Sequence, residues 1–240
     1  ASAQIILTGT SYTQNFDSIG SGLPEGWEVY TSATASTLGT TSVFTNTQTL
    51  WNSTTGIFRN IASNNGASTD NTAAQNENKN RALGWRPVGV TGTDGSAREG
   101  AVTVQFNNTL GYENFQFSVL LFTANDVGTN QNQNYSVEYR VGDVGSFTSI
   151  GTYTTGEPFK SSTISADSIT LSALNNQSSA VYFRIRGVST SGTTNLDTLG
   201  IDNFTLTYSS LAAVPEPSTY AAILGGVALV GVMIRRRKKQ

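Results

Sequence analysis

The reactive side chains of this chain are its acids. It carries 16 Asp and Glu residues but no His and no Cys. Without imidazole or thiol there is no Ser–His triad, no thiol nucleophile and no Cys or His metal site. The many Ser residues include no G-x-S-x-G elbow. Carboxylate chemistry is what remains. A glycosidase of that kind needs two acids facing one groove, and the E-x-D-x-x-E spacing that would line acids along one strand face does not occur. Glu25 and Glu28 flank Trp27 just after a Pro turn, which reads as a strand entry. Glu138 and Arg140 fall on one strand face and read as an exposed cross-strand pair. Paired-acid catalysis is therefore the weakest of the functional readings.

Binding asks for other residues. A sugar ring has an apolar face and hydroxyl edges, so its partners are aromatic rings beside amides or carboxylates. Trp51, Trp85, Tyr112 and Tyr153 are the candidate platforms, whereas Trp27, between LPEG and an alternating strand, reads as core. Two long polar stretches, residues 62–80 and 124–134, are rich in Asn and Gln and read as loops able to supply amides.

The elements that must position these residues are strands. VTVQF (102–106), FQFSVLLF (115–122), YSVEYRV (135–141) and VYFRIRGV (181–188) alternate apolar and polar side chains with a period of two. QIILTG, YTQNFDS, WEVYT, SVFTNT, GIFRNIA, RALGWR, TSIGTYT, SITLSA and IDNFTLTY are further candidates, punctuated by Gly, Asn, Ser and Pro. No stretch before residue 213 has a helical period. The pattern predicts an all-β fold, an antiparallel β-sandwich of the jelly-roll kind over residues 1–212. Length agrees, since 240 residues suit one large β domain with an appendage. Charged residues make up 12% of the chain, about half of the usual ~25%; Ser, Thr, Asn and Gln supply the polar surface instead. The opening ASAQ resembles the end of a secretory signal cut after Ala3.

The last 27 residues differ in kind. VPEPST (214–219) leads into the uncharged, mostly apolar Tyr220–Ile234, then Arg235, Arg236, Arg237, Lys238 and Lys239. As a helix the apolar run, counted from Ser218, reaches roughly 25 Å, slightly short of a ~30 Å hydrocarbon core, which thinning and arginine snorkelling accommodate. The expected order is thus a linker at 213–219, a single transmembrane helix at 220–234 and a basic cytoplasmic tail at 235–240, with the strand-rich body across the inner membrane. The basic tail contributes +5 to a formal net charge of −2, leaving −7 on the rest, which argues against a nucleic-acid footprint on the body.

Pro-Glu-Pro, an apolar helix and a terminal basic cluster, in that order, resemble the PEP-CTERM sorting signal of Gram-negative bacteria. The resemblance implies recognition around Pro215, Glu216 and Pro217 by an exosortase-type membrane transpeptidase, cleavage nearby, and transfer to the cell surface or extracellular matrix, often in association with exopolysaccharide. The helix is then a temporary stop. Two prolines suit the recognition role by holding the triplet extended. In the body, FDSIGSGLPEGW at the start and GIDNFTLTY at the end resemble the jelly-roll ectodomains of many such proteins. Jelly-roll carbohydrate-binding modules often hold a structural Ca²⁺ where first and last strands meet. Asp17 and Asp202 occupy comparable places here and offer the hard oxygens that ion prefers; the alternative is that both satisfy local backbone donors. The expected function is that of a non-catalytic, surface-sorted component of the envelope or matrix. A lectin-like module and a polysaccharide-active enzyme are the alternatives.

Overall fold

A computed structural model describes residues 3–53, 58–63, 72–85, 100–124, 133–155, 161–166, 171–189 and 198–212. The chain divides into two compact units, 1–210 and 211–240. The expected Pro-Glu-Pro element, transmembrane helix and basic tail lie outside the described residues. Among the described residues no helix is long and apolar enough to cross a membrane.

The first unit is a two-sheet sandwich. Its strands are β1 (Ser11–Gln14), β2 (Trp27–Thr31), β3 (Thr40–Thr41), β4 (Phe44–Gln48), β5 (Phe58–Ala62), β6 (Arg81–Trp85), β7 (Ala101–Phe106), β8 (Tyr112–Ala124), β9 (Gln133–Val141), β10 (Thr148–Thr155), β11 (Ser161–Ala166), β12 (Val181–Ser189) and β13 (Thr198–Ser210). A seven-stranded sheet runs β11-β8-β13-β6-β5-β4, with β1 also beside β13; a six-stranded sheet runs β10-β9-β12-β7-β2-β3. Strand pairs are antiparallel except β4 with β5. This is the all-β, jelly-roll-like sandwich that the alternation implies.

Period-two alternation fixes the inner faces. Val102, Val104 and Phe106 of β7, Tyr135 and Val137 of β9, and Val181, Phe183 and Ile185 of β12 all enter one core. From the seven-stranded sheet come Phe115, Phe117, Val119 and Leu121 of β8 and Ile201, Phe204 and Leu206 of β13. Phe204 is a hub, with ring centroids 5.4 Å from Trp27, 5.8 Å from Phe183 and 6.4 Å from Phe117. Such pairs add about 0.5–1.5 kcal/mol each beyond burial.

The outer faces are not bare. On the seven-stranded sheet a second apolar cluster joins Trp51, Ile61, Ala62, Ala82, Phe122 and Ala124. On the six-stranded sheet Tyr30, Ala33 and Ala101 form a third. Three expectations need correction. The polar stretch 62–80 contains a six-residue helix, α1 (Thr72–Glu77), seated through Gln75, whose side-chain oxygen accepts from the Trp51 N–H at 2.9 Å. QIILTG forms no strand; Ile5 alone makes a parallel bridge with Phe106. Within SITLSA the described residues start a 3-10 turn at Ser172–Leu174, and the nearby strand is β11.

Candidate functional site

The first and last strands bring Asp17 and Asp202 together. β1 pairs with β13 from Ser11↔Thr207 to Gln14↔Phe204. Just beyond β1, Phe16 takes φ 55°, a left-handed conformation that is unusual for a bulky side chain and costs on the order of 1–3 kcal/mol. Its N–H donates to Gln14 Oε1 at 2.7 Å, and its ring packs on Trp27 at 4.9 Å. Opposite, β13 carries an irregularity between Asp202 and Thr205, where Asn203 has φ 50°. Each carboxylate is thus next to one left-handed residue that turns the backbone locally.

The two acids have different surroundings. Asp202 is wholly buried. Its Oδ2 accepts from the Ser63 hydroxyl at 2.5 Å and its Oδ1 from the Asn203 N–H at 2.7 Å. Asp17 is exposed; its Oδ2 accepts from Asn15 Nδ2 at 2.7 Å and its Oδ1 from the Arg81 N–H at 3.0 Å. Burial, with a smaller contribution from the charge of Asp17, pushes the Asp202 carboxyl up from 3.8 to about 6, against the pull of its two hydrogen bonds. Among the described residues no cation pairs with Asp202. The Arg81 guanidinium instead donates through Nε to the Asn60 side-chain Oδ1 at 2.8 Å and through Nη1 to the Gln75 backbone carbonyl at 3.1 Å. Asp202 Oδ2 also accepts from Asn203 Nδ2 at 3.5 Å, so Asp202 Oδ1 and the two Asp17 oxygens are the hard acceptors with capacity left for a cation. Among the described residues no third His, Cys, Asp or Glu joins them.

A second polar cluster was not anticipated. Register places Arg184 of β12 opposite Glu138 of β9, and Arg140 opposite Tyr182. Arg184 Nε donates to Glu138 Oε2 at 2.7 Å; Ser136 and Arg186 bond Glu138 Oε1 at 2.8 and 3.3 Å. Arg184 Nη1 donates to the Thr37 carbonyl at 2.7 Å, and the guanidinium lies 3.6 Å from the centre of the Phe147 ring. Arg140 packs against Phe147 and Tyr182. The exposed Glu138–Arg140 pair expected from sequence is therefore replaced by a buried Glu138–Arg184 pair. Cross-strand register chooses the partner, and the segment at residues 33–38 with Phe147 covers the face. The unmarked signal was Arg184 and Arg186, two like charges alternating on one strand opposite a single acid.

The four candidate sugar platforms stand apart. Trp85 is fully buried in the main core, with Tyr135 at 5.7 Å and Phe58 at 6.2 Å. Trp51 is buried on the outer face of the seven-stranded sheet, its Nε1 donating to the Ala62 carbonyl at 2.8 Å. Neither indole offers a ring face to solvent, because each fills a core. Tyr112 is half-buried at the start of β8, 4.9 Å from Tyr208, and Tyr153 is half-buried on edge strand β10. They form no common platform.

Comparison with curated proteins gives no match. Among solved structures, the C-terminal family 22 carbohydrate-binding module of Clostridium thermocellum Xyn10B is 12% identical, with a TM-score of 0.45 over 85% of this chain and 97% of its own. TmCBM61, solved in complex with β-1,4-galactotriose, is 9% identical with a TM-score of 0.43 over 81% and 94%. The K1 cleaved adhesin domain of Lys-gingipain from Porphyromonas gingivalis W83 is 12% identical with a TM-score of 0.43 over 85% and 100%. These similarities are remote and carry no ligand to this chain. The tail gives a direct match, to the PEP-CTERM protein-sorting motif over residues 213–238. The chain therefore carries a PEP-CTERM sorting motif behind a β-sandwich body, the arrangement of an exported protein that an exosortase processes and sorts to the cell surface.

Proposed function

We propose that this chain is a non-catalytic structural or exopolysaccharide-associated component of the cell envelope or extracellular matrix. The observation that carries the reading is the sorting motif at 213–238. An exosortase-type membrane transpeptidase recognises Pro215, Glu216 and Pro217 while residues 220–234 hold the chain transiently in the membrane and Arg235 to Lys239 stay cytoplasmic. In cells with the exosortase, replacing all three motif residues by Ala leaves the full-length chain in the inner membrane, whereas wild type is shortened and reaches the surface. Equal surface delivery of both forms overturns the assignment.

Catalysis is disfavoured by the state of the best carboxylate pair. Asp202 is buried on Ser63 and Asn203, so it does not face an open groove beside Asp17 as one of two catalytic acids must. A calcium ion between Asp17 and Asp202 is the better use of these acids, with a purely structural role at the strand junction. A lectin-like module is the second reading, favoured by a cavity of about 420 Å³ beside the N-terminal segment. Residues 1–212, which hold the whole described core, serve for a binding screen against polysaccharides, including exopolysaccharide from the source cells, with calcium and with chelator. Saturable retention by one polysaccharide class supports association, and its loss under chelator supports the ion; no retention in either condition removes the polysaccharide reading.

A further inference from the structure

The LPEGW stretch, unexplained by the sorting motif, builds one wall of that cavity. Pro24 and Glu25 line it together with Ile5 and Ile6, and Tyr12, Gln4 and Gln14 complete the lining. Its volume lies in the lower part of the roughly 300–1,000 Å³ range of small-molecule sites.

The fold holds Ile5, Tyr12 and Gln14 of this lining in place. The Ile5 N–H donates to the Gln105 carbonyl at 3.0 Å, and Asn107 N–H donates to the Ile5 carbonyl at 2.8 Å. Gly26, at φ 76°, lies beneath Ile5; a Cβ there would come within 2.6 Å of Ile5 Cγ1, so glycine is required both by the turn and by the seating of Ile5. Tyr12 is pinned by Trp27, whose Nε1 donates to its hydroxyl at 2.7 Å. Gln14 is pinned by the Phe16 N–H. Glu25 is near enough for its charge to help raise the Tyr12 phenol, behind the larger effect of burial. Ile6, by contrast, is 72% exposed, an apolar side chain at the rim with no core to fill. The pocket thus combines an exposed aliphatic surface, a phenol, two amides and a carboxylate.

We propose that this cavity binds one neutral pyranose unit of a polysaccharide, its apolar face on Ile6 and its hydroxyls on the polar wall. Glu25 supplies an acceptor for sugar hydroxyls and repels a uronate carboxylate, which selects neutral rings. Tyr12 and Gln14, already held in place, reduce the ordering cost of binding. The inference rests on the polysaccharide-associated reading and gives it a place on the fold.

The test is an amide NMR titration of residues 1–212 with the methyl glycosides of glucose, galactose and mannose, and with methyl glucuronide, run beside the polysaccharide screen. Expected are saturable shifts at Ile6, Tyr12, Gln14 and Glu25 with at least one neutral glycoside, at an affinity on the order of 1 mM. Methyl glucuronide is expected to leave these amides unmoved. Ile6→Ser and Glu25→Gln change exposed side chains only and each is expected to weaken binding by about fivefold or more. If wild type retains polysaccharide but the shifts map elsewhere, or both variants retain it equally, the cavity is wrong and the broader reading stands. If neither polysaccharide nor glycoside binds, both fall. Shifts at the cavity with glucuronide as strong as with neutral glycosides overturn the selectivity.

Discussion

Glu138 and Asp202 are both buried acids in the middle of a sheet, yet the fold treats them in opposite ways. Glu138 sits opposite Arg184, with Arg186 and Ser136 also bonded to it, under a lid of backbone and Phe147. Asp202 has a hydroxyl and an N–H, a second acid nearby, and among the described residues no cation. A charge matched inside the protein is part of the architecture. A carboxyl whose ionisation the fold resists has no such match inside the protein.

The sharpest way to break this contrast is to remove the match. Glu138→Ala leaves Arg184 buried without its acid and is expected to cost about 3–5 kcal/mol, read from the denaturation midpoint. Replacing Glu138 and Arg184 together by apolar residues of similar size should recover most of that loss; if the double variant is as unstable as the single, the pair is not what matters.

A smaller effect is expected from pH. The Asp202 carboxyl rises from 3.8 to about 6 on folding, so between those values the native state holds more protons than the unfolded one. Its contribution is most favourable below pH 4 and is lost as pH rises through about 6. Relative to Asp202→Asn, wild type should therefore gain on the order of 2 kcal/mol as pH falls from 7 to 4 in the presence of chelator. A difference that does not change with pH removes the claim that burial resists this charge. Calcium in excess should raise the melting temperature of wild type at pH 7 by a few degrees, about 1–2 kcal/mol, and leave Asp17→Asn and Asp202→Asn unmoved; equal shifts in all three would mean that the ion acts elsewhere.

The smallest effect lies on the Glu138 side. Thr103 pairs with Arg184 in register, and its Oγ1 is buried without a hydrogen-bond partner. Thr103→Val keeps the shape and removes the orphan, so it should be neutral or stabilising by about 1 kcal/mol. A loss of similar size would show that the hydroxyl is satisfied in solution.

Alternation made the inner faces legible, because a period of two leaves no choice about which side chains share a side. β7, β8, β9 and β12 read correctly for that reason. What alternation does not report is whether the other face meets water. Glu138 and Arg140 look solvated in the sequence, and only a covering segment from residues 33–38, distant in the chain, decides otherwise. Trp51 and Trp85 follow the same rule, since a large ring reads equally well as core or as platform until its neighbours are placed. β11 (SSTISA) shows no apolar alternation in the sequence, because its only large apolar residue is Ile164. The meeting of Asp17 and Asp202 was legible in outline from the places of their strands. The difference in their burial was not, because it depends on Ser63 and on the turn at Asn203. The N-terminal cavity was not legible, because its lining joins Pro24 and Glu25 to residues 4–6, 12 and 14, which only the fold brings together.

β13 leads out of the body toward the sorting tail. It is held along its length, by β8 from Thr198 to Ser210 on one side and by β6 and then β1 on the other. A pull on its end therefore loads many hydrogen bonds in shear at once instead of unzipping them one by one. A protein tethered to a surface through this strand would resist mechanical force by virtue of where its last strand sits.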